Sequence, residues 1–124
     1  MINQKKTCRA WACAVLDVAL EDAESIGLTQ FEVQEIVDAF FKVGDCVRPE
    51  DDDRVEKLVD PGFGGNKYRM KLRYSATTRH VRSLLIDVVF NARGQHALVL
   101  AGIFERGEGT YDDDMPRRCK GIGL

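Results

Sequence analysis

Lys67-Tyr68-Arg69-Met70-Lys71-Leu72-Arg73-Tyr74 alternates cationic and apolar side chains without a break. Successive side chains of an extended strand leave on opposite faces. The period of two therefore predicts a strand with Tyr68, Met70, Leu72 and Tyr74 on one face and Lys67, Arg69, Lys71 and Arg73 on the other. No acidic residue falls between Lys67 and Arg82, a stretch that also holds Arg79 and His80. Cations spaced about 7 Å apart along a strand repel one another, and an anion laid over them relieves that repulsion. Nucleic-acid phosphates meet this need. The plainer alternative is a solvated face, or one neutralised by acids elsewhere in the chain.

Downstream of this strand, residues 81–90 read as a second strand, apolar enough to be central, and residues 97–104 as a third. Asn91-Ala92-Arg93-Gly94-Gln95 reads as the hairpin connection, with Gly94 free to take a positive φ. The segment 105–124 is rich in glycine and charge and reads as irregular. Upstream, Pro61-Gly62-Phe63-Gly64-Gly65-Asn66 marks a turn. It is not a phosphate loop, because such a loop runs from a strand into a helix whose N-terminus helps hold the anion, and this one runs into a strand.

The first half reads as helical. Thr29 and Glu32 form a capping box, Leu28 and Val33 a hydrophobic staple, and Val33, Ile36, Val37, Phe40 and Phe41 an apolar stripe that Gly44 closes. Residues 7–26 carry a stripe of Trp11, Val15, Val18 and Ala19, which predicts a helix stopped at Gly27. Its last turns hold Glu21, Asp22 and Glu24, the wrong sign for the negative end of a helix dipole, so a basic residue elsewhere must compensate. Asp51, Asp52 and Asp53 are placed to cap a short helix carrying Val55, Leu58 and Val59. Together these elements predict an α+β fold: one domain, residues 1–124, with an N-terminal antiparallel helical hairpin packed on a C-terminal three- to four-stranded antiparallel sheet.

The charge divides with the elements. Residues 1–60 hold 7 Lys and Arg against 14 Asp and Glu, a net of −7, and residues 61–124 hold 11 against 6, a net of +5. Such asymmetry marks a chain that meets a polyanion on one side, or two faces that neutralise each other. No apolar run reaches the roughly 18 residues of a membrane span, and the start lacks a signal core, so a cytoplasmic protein with no membrane partner is expected. Cys8, Cys13, Cys46 and Cys119 have no CxxC spacing, and the triplets 51–53 and 112–114 have no calcium-loop spacing. No metal or other cofactor is expected. His80 and His96, the two histidines, suggest no Ser-His-Asp arrangement.

Two stretches resemble the RelE-type toxin ribonucleases and the related MqsR type. Tyr68-Arg69-Met70-Lys71-Leu72-Arg73 is similar to that family's first central strand. Leu98-Val99-Leu100 through Phe104-Glu105-Arg106, then Tyr111, is similar to its last strand with a following Arg and Tyr. The likeness covers residues 58–111. It implies an endoribonuclease of a toxin–antitoxin pair that cuts mRNA through 2′-hydroxyl attack, works on the ribosome and is held by an antitoxin. It also implies that Lys67, Lys71 and Arg73 surround the scissile phosphate, that Arg106 stabilises it, and that Tyr111 stacks on a base or assists proton transfer. Arg69, Arg79, His80 and Arg82 would bind the nucleic acid. Crowded cations depress a lysine pKa toward base function, and arginine grips phosphate in two-pronged fashion, so a site without histidine is chemically sound. The family opens on a strand where the stripe here predicts a helix.

Two other functions stay open on the sequence. One is a non-catalytic binding module, of phage, mobile-element or immunity type, that contacts nucleic acid or a partner protein. The other is a structural subunit that self-associates through the apolar helical hairpin.

Overall fold

The computed structural model describes residues 2–58, 66–72, 81–89, 91–105 and 118. The elements are β1 (Ile2–Thr7), β2 (Ala12–Leu16), α1 (Asp17–Ser25), α2 (Gln30–Val43), a 3-10 turn (Pro49–Asp51), β3 (Val55–Leu58), β4 (Lys67–Lys71), β5 (Val81–Val89) and β6 (His96–Glu105). They form a six-stranded mixed sheet in the order β1-β2-β6-β5-β4-β3. Strands β3 to β6 make an antiparallel meander, β2 joins β6 in parallel, and β1 pairs antiparallel with β2.

This corrects the expected helical hairpin on a three- to four-stranded antiparallel sheet. The strand β2 and a nine-residue helix occupy most of the segment read as one helix, and β1 ends where that segment begins. The reason lies in Ala12-Cys13-Ala14-Val15-Leu16. A continuous apolar run satisfies a helical stripe and a strand covered on both faces equally well. Cys13 and Val15 enter the core on one side of the sheet, Ala14 and Leu16 the core on the other. The short helix expected near residues 51–59 is likewise absent. Asp52 accepts from the backbone N–H of Arg54 and takes its guanidinium through two bonds of 2.9 and 2.7 Å, and Val55–Leu58 then runs as an edge strand along β4.

The second helix forms as read. Thr29 accepts from Glu32 N at 3.1 Å, and Glu32 accepts from Thr29 N at 3.0 Å. Ile36, Val37, Ala39, Phe40 and Val43 bury its apolar stripe in the same core as Leu85, Leu98 and Leu100 of the sheet. The helical surface proposed for self-association is therefore largely taken up inside the fold. Gly94 takes φ 75° in the β5–β6 turn, as expected.

Gly44 closes α2 as expected, with its backbone N–H bonded to Phe40 O, and it has a second role. Its φ of −63° is ordinary right-handed backbone, so no left-handed cap requires it. What requires glycine is space, since a Cβ there would lie 2.3 Å from Cys13 Sγ and 2.9 Å from Cys8 Cβ. The turn between β1 and β2 packs directly on the end of α2. Gly44 O accepts from the backbone N–H groups of both Ala10 and Trp11, each at 3.0 Å.

The acidic end of α1 finds its compensation in Arg118. Arg118 Nη1 and Nη2 reach the Asp22 carboxylate at 2.7 and 3.1 Å, and Nη1 also donates to Ala101 O at 2.8 Å. Asp22 accepts from Ile103 N at 3.2 Å. β6 pairs with β2 only as far as Leu100. Beyond it, this ion pair supplies partners for the β6 backbone. Among the described residues no helix is long and apolar enough to cross a membrane.

Candidate functional site

β4 separates two chemistries because its register fixes which side chains share a face. Lys67 pairs with Ile86, Arg69 with Leu84 and Lys71 with Arg82. Leu84 and Ile86 belong to the core cluster on the side away from α2, so the cations lie on that side too. Tyr68 and Met70 enter the core shared with α2.

The cationic row is real but is not a free row. Lys67 is 6% exposed. Arg69 Nη2 binds Glu56 Oε2 at 2.7 Å across the β3–β4 pair, and that bond holds the Glu56 carboxyl below its usual range. Lys71 and Arg82, opposite each other and both half-buried, face Phe104 across β5–β6. Lys67 and Lys71 are four residues apart, about 13 Å along a strand. The register puts both on one face of the sheet, Lys67 buried and Lys71 half-buried. Arg73, Arg79, His80, Arg106 and Tyr111 lie outside the described residues, as does the triplet 112–114.

A group that the sequence reading passed over sits on the helix-bearing face, at the Asn66 end of β4. Asp87 is the one charged residue in the apolar run Leu84-Leu85-Ile86-Asp87-Val88-Val89, and it is 7% exposed. Its Oδ1 meets His96 Nδ1 at 2.5 Å, and its Oδ2 accepts from Asn66 Nδ2 at 3.3 Å. Its backbone N–H donates to Asn66 O at 2.9 Å, which ties the end of β5 to the start of β4. The hairpin register explains the pairing: Asp87 lies opposite Leu98, so His96 is its diagonal neighbour on the same face. The signal available in the sequence was a lone acid in a buried strand and a histidine just across a five-residue connection.

The carboxylate on Nδ1 sets the orientation and tautomer of the ring and leaves Nε2 as the atom that accepts or gives a proton. The His96 side chain is 51% exposed while Asp87 is sheltered, so the pair joins a solvent-facing ring to a buried carboxylate. A surface cleft of about 600 Å³ opens beside the pair, lined also by Trp11, Val47 and Gln95. Trp11 is placed by its backbone bond to Gly44 O and by its indole N–H, which donates to Cys46 O at 2.9 Å. Arg9, Arg48 and Arg93 are exposed, and each is within two positions of a residue lining the cleft.

On the same face of the sheet, burial pushes the Tyr68 phenol up to about 12, and the nearby Glu50 and Asp87 carboxylates add to the effect. Tyr68 thus stays a neutral phenol. The acidic segment is partly neutralised from within. Arg48 pairs with Glu50 at 3.0 Å, and the guanidinium of Arg54 holds the Asp52 carboxyl below its usual range. Cys8, Cys13 and Cys46 are free thiols, and burial, together with the neighbouring Cys8 thiol, pushes the Cys13 thiol far up, leaving it a poor nucleophile. Among the described residues no three His, Cys, Asp or Glu gather in a way that could hold a metal ion.

No protein-family model matches the chain, and no curated protein or solved structure matches it either.

Proposed function

We propose that this protein is a metal-independent endoribonuclease, of the toxin kind that the sequence resembles, and that His96 is its proton-transfer group. The observation that carries the reading is the Asp87–His96 pair on the rim of an open cleft. Buried carboxylate, oriented imidazole and free Nε2 form an acid–base unit. The order of strand, two helices and an antiparallel meander supports the resemblance, with β2 standing where a helix had been expected.

The reaction needs no cofactor. His96 Nε2 takes the proton of a ribose 2′-hydroxyl, and the 2′-oxygen attacks the adjacent phosphorus. The P–O5′ bond breaks, and the leaving 5′-oxygen takes a proton from water. The products are a 2′,3′-cyclic phosphate and a 5′-hydroxyl. Of the exposed arginines close in sequence to cleft-lining residues, Arg9 and Arg93 supply the opposing charge in this reading, since Arg48 is paired with Glu50. The cations on the far face of β4 hold more distant phosphates. The ribosome and an antitoxin remain the proposed partners.

The test is induced expression of the wild type, His96→Gln and Lys71→Ala/Arg73→Ala, with growth and RNA integrity read together. Growth arrest with RNA cleavage in the wild type, lost in His96→Gln, is the expected result. RNA left intact by purified wild type, both free and on ribosomes, overturns the reading. RNA binding without cleavage would instead identify the non-catalytic binding module.

A further inference from the structure

The cleft beside His96 has a composition that selects its occupant. Trp11, the chain's single tryptophan, is half-buried, with part of its surface packed against the core and part lining the cleft. The bond from its indole N–H to Cys46 O fixes the ring plane. Ala10 and Ala12 on either side of it add no bulk to the lining. On the rim, Val47 leaves 80% of its surface in water, although it is a large apolar residue. Gln95 also lines the cleft, and its Oε1 accepts from Asn91, a bond that does not use its amide NH₂. Among the described residues, Asp87 is the one acid in the lining and is already held by His96 and Asn66, and no lysine or arginine lines it. The cleft is shallow and open to solvent, which suits one face of a flat ring laid on Trp11.

Such a lining does not suit a phosphate, which needs cationic donors. It suits a flat, uncharged heterocycle with a hydrogen-bond acceptor on its edge. We propose that the cleft is a nucleobase subsite that takes one unpaired base of single-stranded RNA, stacked on Trp11 and contacted at its edge by Gln95. This inference rests on the ribonuclease reading and specifies its substrate. The base lies against Trp11, its ribose hydroxyl meets His96 Nε2, and the phosphates run outward toward the exposed arginines. A base still in a duplex cannot enter, because its faces are covered by its neighbours. Stacking works with any base, since every base presents a π-face, so the subsite selects unpaired RNA more strongly than it selects sequence.

The single tryptophan makes the test direct. A short mixed-sequence single-stranded oligoribonucleotide is titrated into His96→Gln, which binds without turnover. Trp11 fluorescence and the anisotropy of the labelled oligonucleotide are followed together. Saturable quenching that tracks the anisotropy is expected, and the same sequence as a duplex should quench far less. Trp11→Leu should weaken binding about tenfold and Trp11→Phe by less, as expected for loss of one stacked base. Val47→Glu, at an exposed rim position that spares the fold, should weaken binding by repelling the phosphates, with unchanged thermal melting. Binding that saturates without quenching, equal quenching by duplex, or unchanged affinity in Val47→Glu and folded Trp11→Leu each overturns the subsite. Cleavage by the wild type without quenching removes the subsite and leaves the ribonuclease. Quenching without cleavage does the reverse.

Discussion

Replacing Arg118 by Met tests the account of how the charged end of α1 is held. The guanidinium makes two bonds to Asp22, at 2.7 and 3.1 Å, and one to Ala101 O at 2.8 Å. The side chains are 8% and 20% exposed, so water replaces little of what is lost. Methionine keeps much of the length and apolar stem while removing every donor. Asp22 then keeps its bond from Ile103 N at 3.2 Å but faces no cation, beside helix carbonyls of the same sign. Breaking a buried pair from one side costs about 3–5 kcal/mol, and the partial exposure of Asp22 places this case near 3. For a chain of this size that lowers Tm by roughly 10 °C. Differential scanning calorimetry on Arg118→Met, Asp22→Asn and the double variant measures both the loss and the coupling. Asp22→Asn in the Arg118→Met background should recover much of the stability, because the unpaired charge is gone. A single variant melting within about 2 °C of wild type, or strictly additive effects, would refute the reasoning.

Asp87→Asn removes the anion that holds the Nδ1 proton of His96, so cleavage should fall roughly 10²–10⁴-fold while stability changes by only about 1 kcal/mol, as read by single-turnover assay and urea unfolding. Lys71→Ala/Arg82→Ala should raise KM, leave kcat unchanged and reduce the salt slope of RNA binding by about 1 to 2, because the proposed reading assigns those residues to backbone phosphates away from His96. Tyr68 ionises near 10 when unfolded but at about 12 in the fold. Its contribution is thus present below pH 10 and is lost as pH rises from 10 through 12, and Tyr68→Phe should flatten that alkaline limb in urea titrations. Gly44→Ala sets a methyl against Cys13 Sγ and Cys8 and should cost about 1–3 kcal/mol, and adding Cys13→Ala should return part of it.

Where one local rule dominated, the sequence was legible. The Thr29–Glu32 capping box, the α2 stripe, the first five residues (Lys67–Lys71) of the alternating strand expected to run to Tyr74, and the Gly94 turn each rest on chemistry within a few residues, and each formed. The sequence misled where a local pattern had two solutions. Ala12-Cys13-Ala14-Val15-Leu16 fits a helix or a doubly covered strand, and the choice depends on β6, more than 80 residues downstream, lying alongside. Val55–Leu58 was decided by its pairing with β4 rather than by the acids before it. The wrong-sign charges on α1 correctly announced a distant partner, but nothing local identified it as Arg118. The Asp87–His96 pair was hidden for a related reason. A search by motif looks for a third residue, whereas the hairpin register alone brings these two together.

The geometry of β4 also changes what its cations mean. Read as a row, they form a single electropositive face with its own active centre. In the sheet, Lys67 is buried, Arg69 is engaged by Glu56, and Lys71 with Arg82 stands about 16 Å from Asn66 along the strand. Asn66, at the head of the same strand, helps hold Asp87 on the opposite face. A strand alternates its faces, so a cation at one position and an acid–base pair anchored at its neighbour necessarily point apart. No single phosphate touches both. The cations can still draw in a polyanion and hold its remote phosphates. Proton transfer requires instead a group that is sheltered on one side and open on the other, which among the described residues is what Asp87 and His96 supply. Under the proposed ribonuclease reading, electrostatic attraction and proton transfer fall on the two faces of one sheet, and an RNA has to wrap its edge to engage both.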